Sequence, residues 1–326
     1  MASAGRRDNA CAGGMQAYGA SVTAALPTER PLLALIVRLG AIAGLATMSA
    51  LIKLVAERGV HVVEIMFWRQ ASTLPILLAW AALMGGLGQL RTRRLGMHFK
   101  RSIYGTVGMA LNFGAVILLP LAEATTMNFT APIWAVILAT LLLKERPGVW
   151  RWGAVAAGFV GVILIAQPGS GHIPLVGALV ALGGAFMIAL ISIQIADLGR
   201  TDKPLAIVFY FALFSVPITG LALPFVFVPH DAATWWLLAG IGVLGVIGQL
   251  LLTAALRFGK VSSVIVMDYS SLFWATIYGW LLFDMLPPAS TWLGAPIIIA
   301  AGLVIAWREH VLSRPALRRA TRTAGT

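Results

Sequence analysis

Charge is scarce in this chain: Asp, Glu, Lys and Arg make up 11% of its 326 residues, where a soluble domain carries about 25%. Cysteine is nearly missing. Cys11 stands alone, which excludes an intramolecular disulfide and a metal–thiolate cluster. The five histidines, His61, His98, His172, His230 and His310, show no metal-ligand spacing of the HExxH kind, and no GxxxxGK[ST] phosphate loop occurs. Neither metal hydrolysis nor direct ATP drive is therefore expected, and no cofactor is implied. These histidines read as solvated residues at span ends. The apolar runs also lack the period-2 alternation of a membrane β-barrel and are too long for its strands.

What the chain has is apolar sequence. Hydrophobic residues make up 59% and the mean hydropathy is +0.88. A helix needs roughly 20 apolar residues to cross a bilayer core of about 30 Å at 1.5 Å per residue. Ten such runs can be read, at 33–54, 62–84, 102–120, 123–143, 149–166, 174–196, 205–228, 234–256, 261–283 and 290–307. The expected fold class is an all-α integral membrane protein.

The formal net charge of +12 would suit nucleic acid if it were clustered on one soluble face. It is distributed by topology instead. With the N-terminus inside, 20 of the 24 Lys and Arg fall in the tails and in the loops on that side, as the positive-inside rule requires. Lys53 and Arg58 lie near the opposite surface, and Arg38 and Arg69 lie within spans. Both termini are expected in the cytoplasm, in a multi-pass protein of the cell inner membrane, with no nucleic-acid partner. Arg6-Arg7 is not followed directly by an apolar segment of the signal-peptide kind, so residues 1–32 read as a disordered cytoplasmic tail and 308–326 as a basic one.

The two halves resemble each other. Trp134 and Trp274 are 140 residues apart, as are Pro147 and Pro287, and Gly153 to Gly161 is matched by Gly294 to Gly302. FWRQASTLPI in span 2 aligns with FYFALFSVPI in span 7, setting Pro75 against Pro217. Each half, 33–167 and 174–307, holds five spans. An odd number forces the second half to enter from the opposite face, giving inverted repeats, the architecture with which secondary transporters alternate around a midplane site.

Phe67-x-Arg69 in span 2, Pro132 followed by LLLKERP ending at Pro147, DYSSLFWATIYGWLLFD from Asp268 to Asp284, and TWLGAPIIIAAGLVIAWRE over 291–309 carry a family resemblance. Over residues 33–309 the chain resembles the drug/metabolite transporter superfamily, specifically its EamA-type ten-helix members. The resemblance implies two five-helix repeats and transport without catalysis. Family members carry amino acids, riboflavin, S-adenosylmethionine, opine-type metallophores or drugs, so it implies a small-molecule cargo without naming it.

Within the spans, charged groups are the anomalies, since a charge at mid-bilayer costs at least about 2.5 kcal/mol. Arg69 lies seven residues into span 2, roughly 10 Å deep. It is either a structural arginine bonded to helix-end carbonyls or an acid, or an anchor for an anion, whose carboxylate matches the guanidinium fork. Its repeat counterpart is Phe211, so the scaffold does not demand the charge. Asp268 is read as the opposite anchor, binding a proton or an amine, or else as a structural partner of Arg69 or of a helix end. The two are separated axially by roughly 10 Å, which a bound zwitterion can bridge. Trp68, Asn128, Trp134, Gln249, Tyr269 and Phe273 are the further candidates for substrate binding, against core packing as the plain alternative. Glu64, near the outer end of span 2, reads as a solvated rim residue beside Lys53 or Arg58, or as an outer gate. The expectation is a proton-coupled exporter of an amino-acid-like or opine-like zwitterion, with S-adenosylmethionine or riboflavin uptake as the alternative. A membrane enzyme and a scaffold remain the other classes. The lipid bilayer is one partner, and a second copy of the chain is a candidate partner.

Overall fold

A computed structural model describes residues 31–84, 86–142, 148–167, 173–258 and 266–323. Among them eleven α-helices follow in order: α1 (Pro31–Glu57), α2 (Val62–Met84), α3 (Leu95–Leu118), α4 (Leu121–Asn128), α5 (Ala131–Leu142), α6 (Val149–Ala166), α7 (Leu175–Leu198), α8 (Pro204–Val226), α9 (Ala232–Phe258), α10 (Ser271–Phe283) and α11 (Ala289–Thr323). Two 3₁₀ turns, Leu87–Leu90 and Val266–Ser270, precede α3 and α10. The described residues contain no strand. Most of the N-terminal tail, the Glu145 to Pro147 turn and the first residues of span 9 lie outside the described residues.

Among the described residues, eight helical segments are long and apolar enough to cross a membrane. The expected spans 3 and 9 are not among them. The helix of span 3, α3, opens with His98, Lys100 and Arg101, and span 9 is represented by a helix of 13 residues behind its 3₁₀ turn. α11 runs to Thr323 rather than ending near 307, so the basic tail continues the last helix.

The main packing partners are α1 with α9, α2 with α8, α3 with α7 and α6 with α11. Every one of these pairs joins a helix before Gln167 to one after it. The α6–α11 contact is close because it is made by glycines: a Cβ on Gly294 would sit 2.7 Å from the Gly161 carbonyl oxygen, and one on Gly161 would sit 3.0 Å from that of Gly294. Small residues let membrane helices pack backbone to backbone.

Prolines shape the long helices. Pro75 lies inside α2 and Pro217 and Pro224 inside α8, each removing one i→i−4 hydrogen bond. Pro132 lies one residue into α5 and has no N–H for the carbonyl of Asn128. The chain tightens to i→i−3 bonds there, Phe129 to Thr126 and Thr130 to Met127, both 3.1 Å, and restarts as α5. Span 4 is thus two helices meeting at Phe129 and Thr130. Outward faces remain apolar: Phe225 is 88% exposed and Leu83 82%. In water such a surface would aggregate; against lipid it needs no cover.

Candidate functional site

The break between α4 and α5 and the 3₁₀ turn before α10 both carry polar groups to one cavity. Asp268 projects from the 3₁₀ turn, where the Ser271 hydroxyl donates to the Asp268 carbonyl at 2.6 Å. Its carboxylate is held by Arg38 of α1 in a two-pronged contact, Nε to Oδ1 at 2.7 Å and Nη2 to Oδ2 at 2.6 Å. Arg38 also donates from Nη1 to the Leu252 carbonyl at 3.3 Å. The arginine side chain is 9% exposed and the aspartate 41%. Arg38 and the more exposed Asp268 both line a cavity of about 270 Å³. Ser49, Thr125, Asn128, Phe129 and Ser271 line the same space. Phe129 packs edge-on against Tyr269 at 4.9 Å. Parallel N–H···O bonds of this kind are among the strongest available to a carboxylate.

The second polar cavity lies between α2, α3, α8 and α9. It encloses about 70 Å³ among Arg69, Gln70, Thr73, Arg101, Phe211 and Gln249. Through Leu77, Val208, Gln249 and Leu250 it adjoins a wider vestibule of about 460 Å³ that reaches Gln89 and Lys203. Arg69 donates from Nη1 to Gln70 Oε1 at 2.9 Å and to Met109 Sδ at 3.3 Å. Its guanidinium lies 5.8 Å from the centre of Phe113. Arg101 stacks on Phe211 at 4.1 Å, which occupies the position that repeats Arg69. No carboxylate occurs among the described residues that line either part.

A third cluster closes the end of α2 that begins at Val62. Glu64 Oε1 lies 2.7 Å from Nε2 of His230 and accepts a bond from Trp68 Nε1 at 3.2 Å. Trp68 in turn packs edge-on against Trp235 at 5.0 Å. Asp231 caps α9, accepting from the Thr234 N–H at 2.9 Å, and hydrogen bonding from the Thr234 side chain first and its backbone second holds the carboxyl below the usual aspartate range. Nearby, Lys53 donates to the carbonyls of Val116, Ile117 and Leu119 at the end of α3, and the Thr291 hydroxyl donates to Glu123 at 3.1 Å.

Several sequence expectations change against this geometry. Glu64 is fully buried and its partner is His230, not a solvated rim with Lys53 or Arg58. His230 is likewise enclosed, with 4% of its side chain exposed, and His98 is fully buried beside Asp202 at 3.3 Å. Neither fits the reading of solvated histidines. Arg69 and Asp268 line different cavities, each with other partners. Asn128 shares the Asp268 cavity, Tyr269 flanks it through Phe129, and Gln249 shares the Arg69 cavity. Trp68 belongs to the Glu64 cluster. Trp134 packs edge-on between Phe159 and Phe186, and Phe273 is 61% exposed on the outer surface. Neither Trp134 nor Phe273 lines either of the two polar cavities described above. Sequence reasoning missed Arg38, Arg101, His230 and Glu123 as participants. The available signal was that Arg38 and Glu123 are ionisable groups inside spans, which marks a functional candidate by default.

The sequence model of the EamA-like transporter family matches the chain twice, at residues 32–167 and 175–307. A riboflavin transporter of Vibrio cholerae is 31% identical over 246 residues, covering 75% of this chain and 82% of that protein. A pseudopaline exporter of Pseudomonas aeruginosa is 30% identical over 267 residues, covering 80% and 91%. One solved crystal structure superposes with a TM-score of 0.58 at 18% identity, covering 85% of this chain and 97% of the other. At that identity the likeness is one of fold.

Proposed function

The chain belongs to the EamA-like transporter family, and from that premise we propose that it moves a small polar metabolite across the cell inner membrane by alternating access. In this reading ten spans form two inverted five-span repeats, 33–167 and 174–307, with both termini in the cytoplasm. Supporting it are the two successive family matches, the pairing of helices across Gln167 and the positive-inside bias. The observation that carries the binding site is the Arg38–Asp268 pair facing a cavity bounded by two interrupted spans. Broken helices near the bilayer midplane are where secondary transporters hold their cargo.

That cavity is balanced in charge and offers hydroxyls, an amide and an aromatic edge. It suits a neutral or zwitterionic molecule that forms many hydrogen bonds, and riboflavin is the first cargo to test, since relatives bearing that name align over most of their length. Opening of the Arg38–Asp268 pair would give a zwitterion one anchor per charge, which favours an opine-like compound as the second reading. Asp268, the exposed member of the pair, is the group through which a proton gradient would drive the cycle.

The decisive experiment is labelled riboflavin flux in cells that lack other riboflavin transport, with and without the chain. Flux that depends on the chain, falls at least ~10-fold in Asp268→Asn and collapses with the pH gradient supports the whole reading; a tenfold change corresponds to about 1.4 kcal/mol. Absence of riboflavin flux with changed pools of an opine or amino acid selects the second cargo. If no metabolite changes inside or outside the cell, transport itself is overturned.

A further inference from the structure

Arg69 and Arg101 form a site with no balancing acid among the described residues that line it. Arg101 is 8% exposed, and its Nε and Nη1 have no hydrogen-bond partner. The Nε of Arg69 and the Nε2 of Gln70 are also buried without partners, and the two guanidinium charges are near enough to repel each other. Removing a charge from water is costly unless it is paired and hydrogen-bonded. Here two like charges share one small cavity, and no acid among the described residues lining it balances them. The ring of Phe211 satisfies one face of Arg101 and none of its edge N–H groups.

We propose that this cavity is an oxyanion site, distinct from the Arg38–Asp268 cavity, for the carboxylate or phosphate group of an organic anion. Its size supports the assignment. About 70 Å³ is well above the ~10–15 Å³ that a single water needs, so an acid group fits. The adjoining vestibule of about 460 Å³ holds the body of the ligand. Planar N–H forks from Arg69 and Arg101 would clamp the oxygens, and the unpartnered Nε2 of Gln70 lines the same pocket. Lys203, which lines the vestibule, adds attraction for an incoming anion. On the topology proposed above, the only part of that reading used here, the vestibule faces the cytoplasm.

Two sources offer the same chemistry, a soluble anion or the phosphate of an anionic lipid, and one experiment separates them. The full chain is placed in nanodiscs of phosphatidylcholine, and its melting temperature is followed as citrate or inorganic phosphate is added at constant ionic strength. A parallel series replaces part of the phosphatidylcholine with phosphatidylglycerol. A rise with citrate or phosphate, whose apparent affinity falls at least ~10-fold in Arg101→Gln, a loss of about 1.4 kcal/mol, establishes the site with a soluble ligand. A rise confined to phosphatidylglycerol and lost in Arg101→Gln establishes it with a lipid ligand. Anion effects equal in wild type, Arg101→Gln and Arg69→Gln overturn the site. Should Arg101→Gln not fold, Arg101→Lys, which keeps the charge and loses the fork, gives the same comparison. The readout is binding, so the site can stand where riboflavin transport fails, and the reverse.

Discussion

The two polar cavities use the same cation in opposite ways. Around Asp268, one arginine meets one carboxylate through two short bonds. Around Arg69, a second arginine is added instead of an acid, and donors stay open. A cavity balanced in itself gains little stability from a ligand's charge and selects by hydrogen bonds and shape. An unbalanced one is strained until a counter-charge arrives. The position of a charge within a span therefore says less about its work than the company it keeps.

The comparison can be broken most forcefully at Asp268. Asp268→Asn leaves Arg38 as an uncompensated charge, and breaking a buried pair by removing one partner costs about 3–5 kcal/mol; the 41% exposure of the aspartate places the loss at the lower end. A fall of several degrees in the melting temperature of purified protein is the expected result, recovered in part by Arg38→Met in the same chain. A melting temperature equal to wild type would show that the pair is solvated and the cavity unbalanced after all.

Much of this architecture was legible beforehand. Apolar runs of spanning length located eight of the helical segments, whereas the break in span 4 was read as one continuous helix over 123–143, although Pro132 has no N–H to carry it through. The partners of the charges were not legible, for a physical reason: Arg38 and Asp268 are 230 positions apart and meet only because α1 packs beside the 3₁₀ turn. Arg101 was counted with the basic loops, since the positive-inside rule does not distinguish a loop cation from one a turn inside a helix that points inward. Glu64 was assigned to the rim by its depth and by the nearness in sequence of Lys53 and Arg58, and only the folded segment after α8 brings His230 to it. Phe273 failed for another cause. A helix apolar on all sides carries no periodic signal for which face meets lipid.

A smaller effect tests whether the Arg69 guanidinium must lie where it does. A Cβ on Gly245 would come 3.1 Å from Arg69 Nε and 3.2 Å from Met48 Sδ, close enough that the flexible side chains must move by a few tenths of an ångström. Gly245→Ala is expected to cost about 1 kcal/mol, the low end for overpacking, and to weaken citrate or phosphate binding while leaving riboflavin flux near wild type. Equal losses in both would mean that the cavities act as one site. Asn128→Ala does the converse: it removes an amide from the Asp268 cavity alone and is expected to weaken cargo binding by about 1 kcal/mol, roughly fivefold, with anion binding unchanged.

The smallest expected change in stability carries the sharpest sign. Arg101→Met keeps an unbranched side chain against Phe211, where sulfur and an aromatic ring attract by about 0.3–1.5 kcal/mol, in place of a cation–π contact worth about 0.5–2 kcal/mol. It also removes the repulsion from Arg69 and the burial of an unpaired charge, both of which weigh against the wild type when no anion is bound. These contributions nearly offset each other, so without added anion the melting temperature is expected to match or slightly exceed that of wild type. With citrate present the order reverses, because only the wild type gains from the ligand. A large loss in anion-free buffer, comparable to that of Asp268→Asn, would mean that Arg101 already has its counter-charge inside the protein, and the difference between the two cavities would vanish.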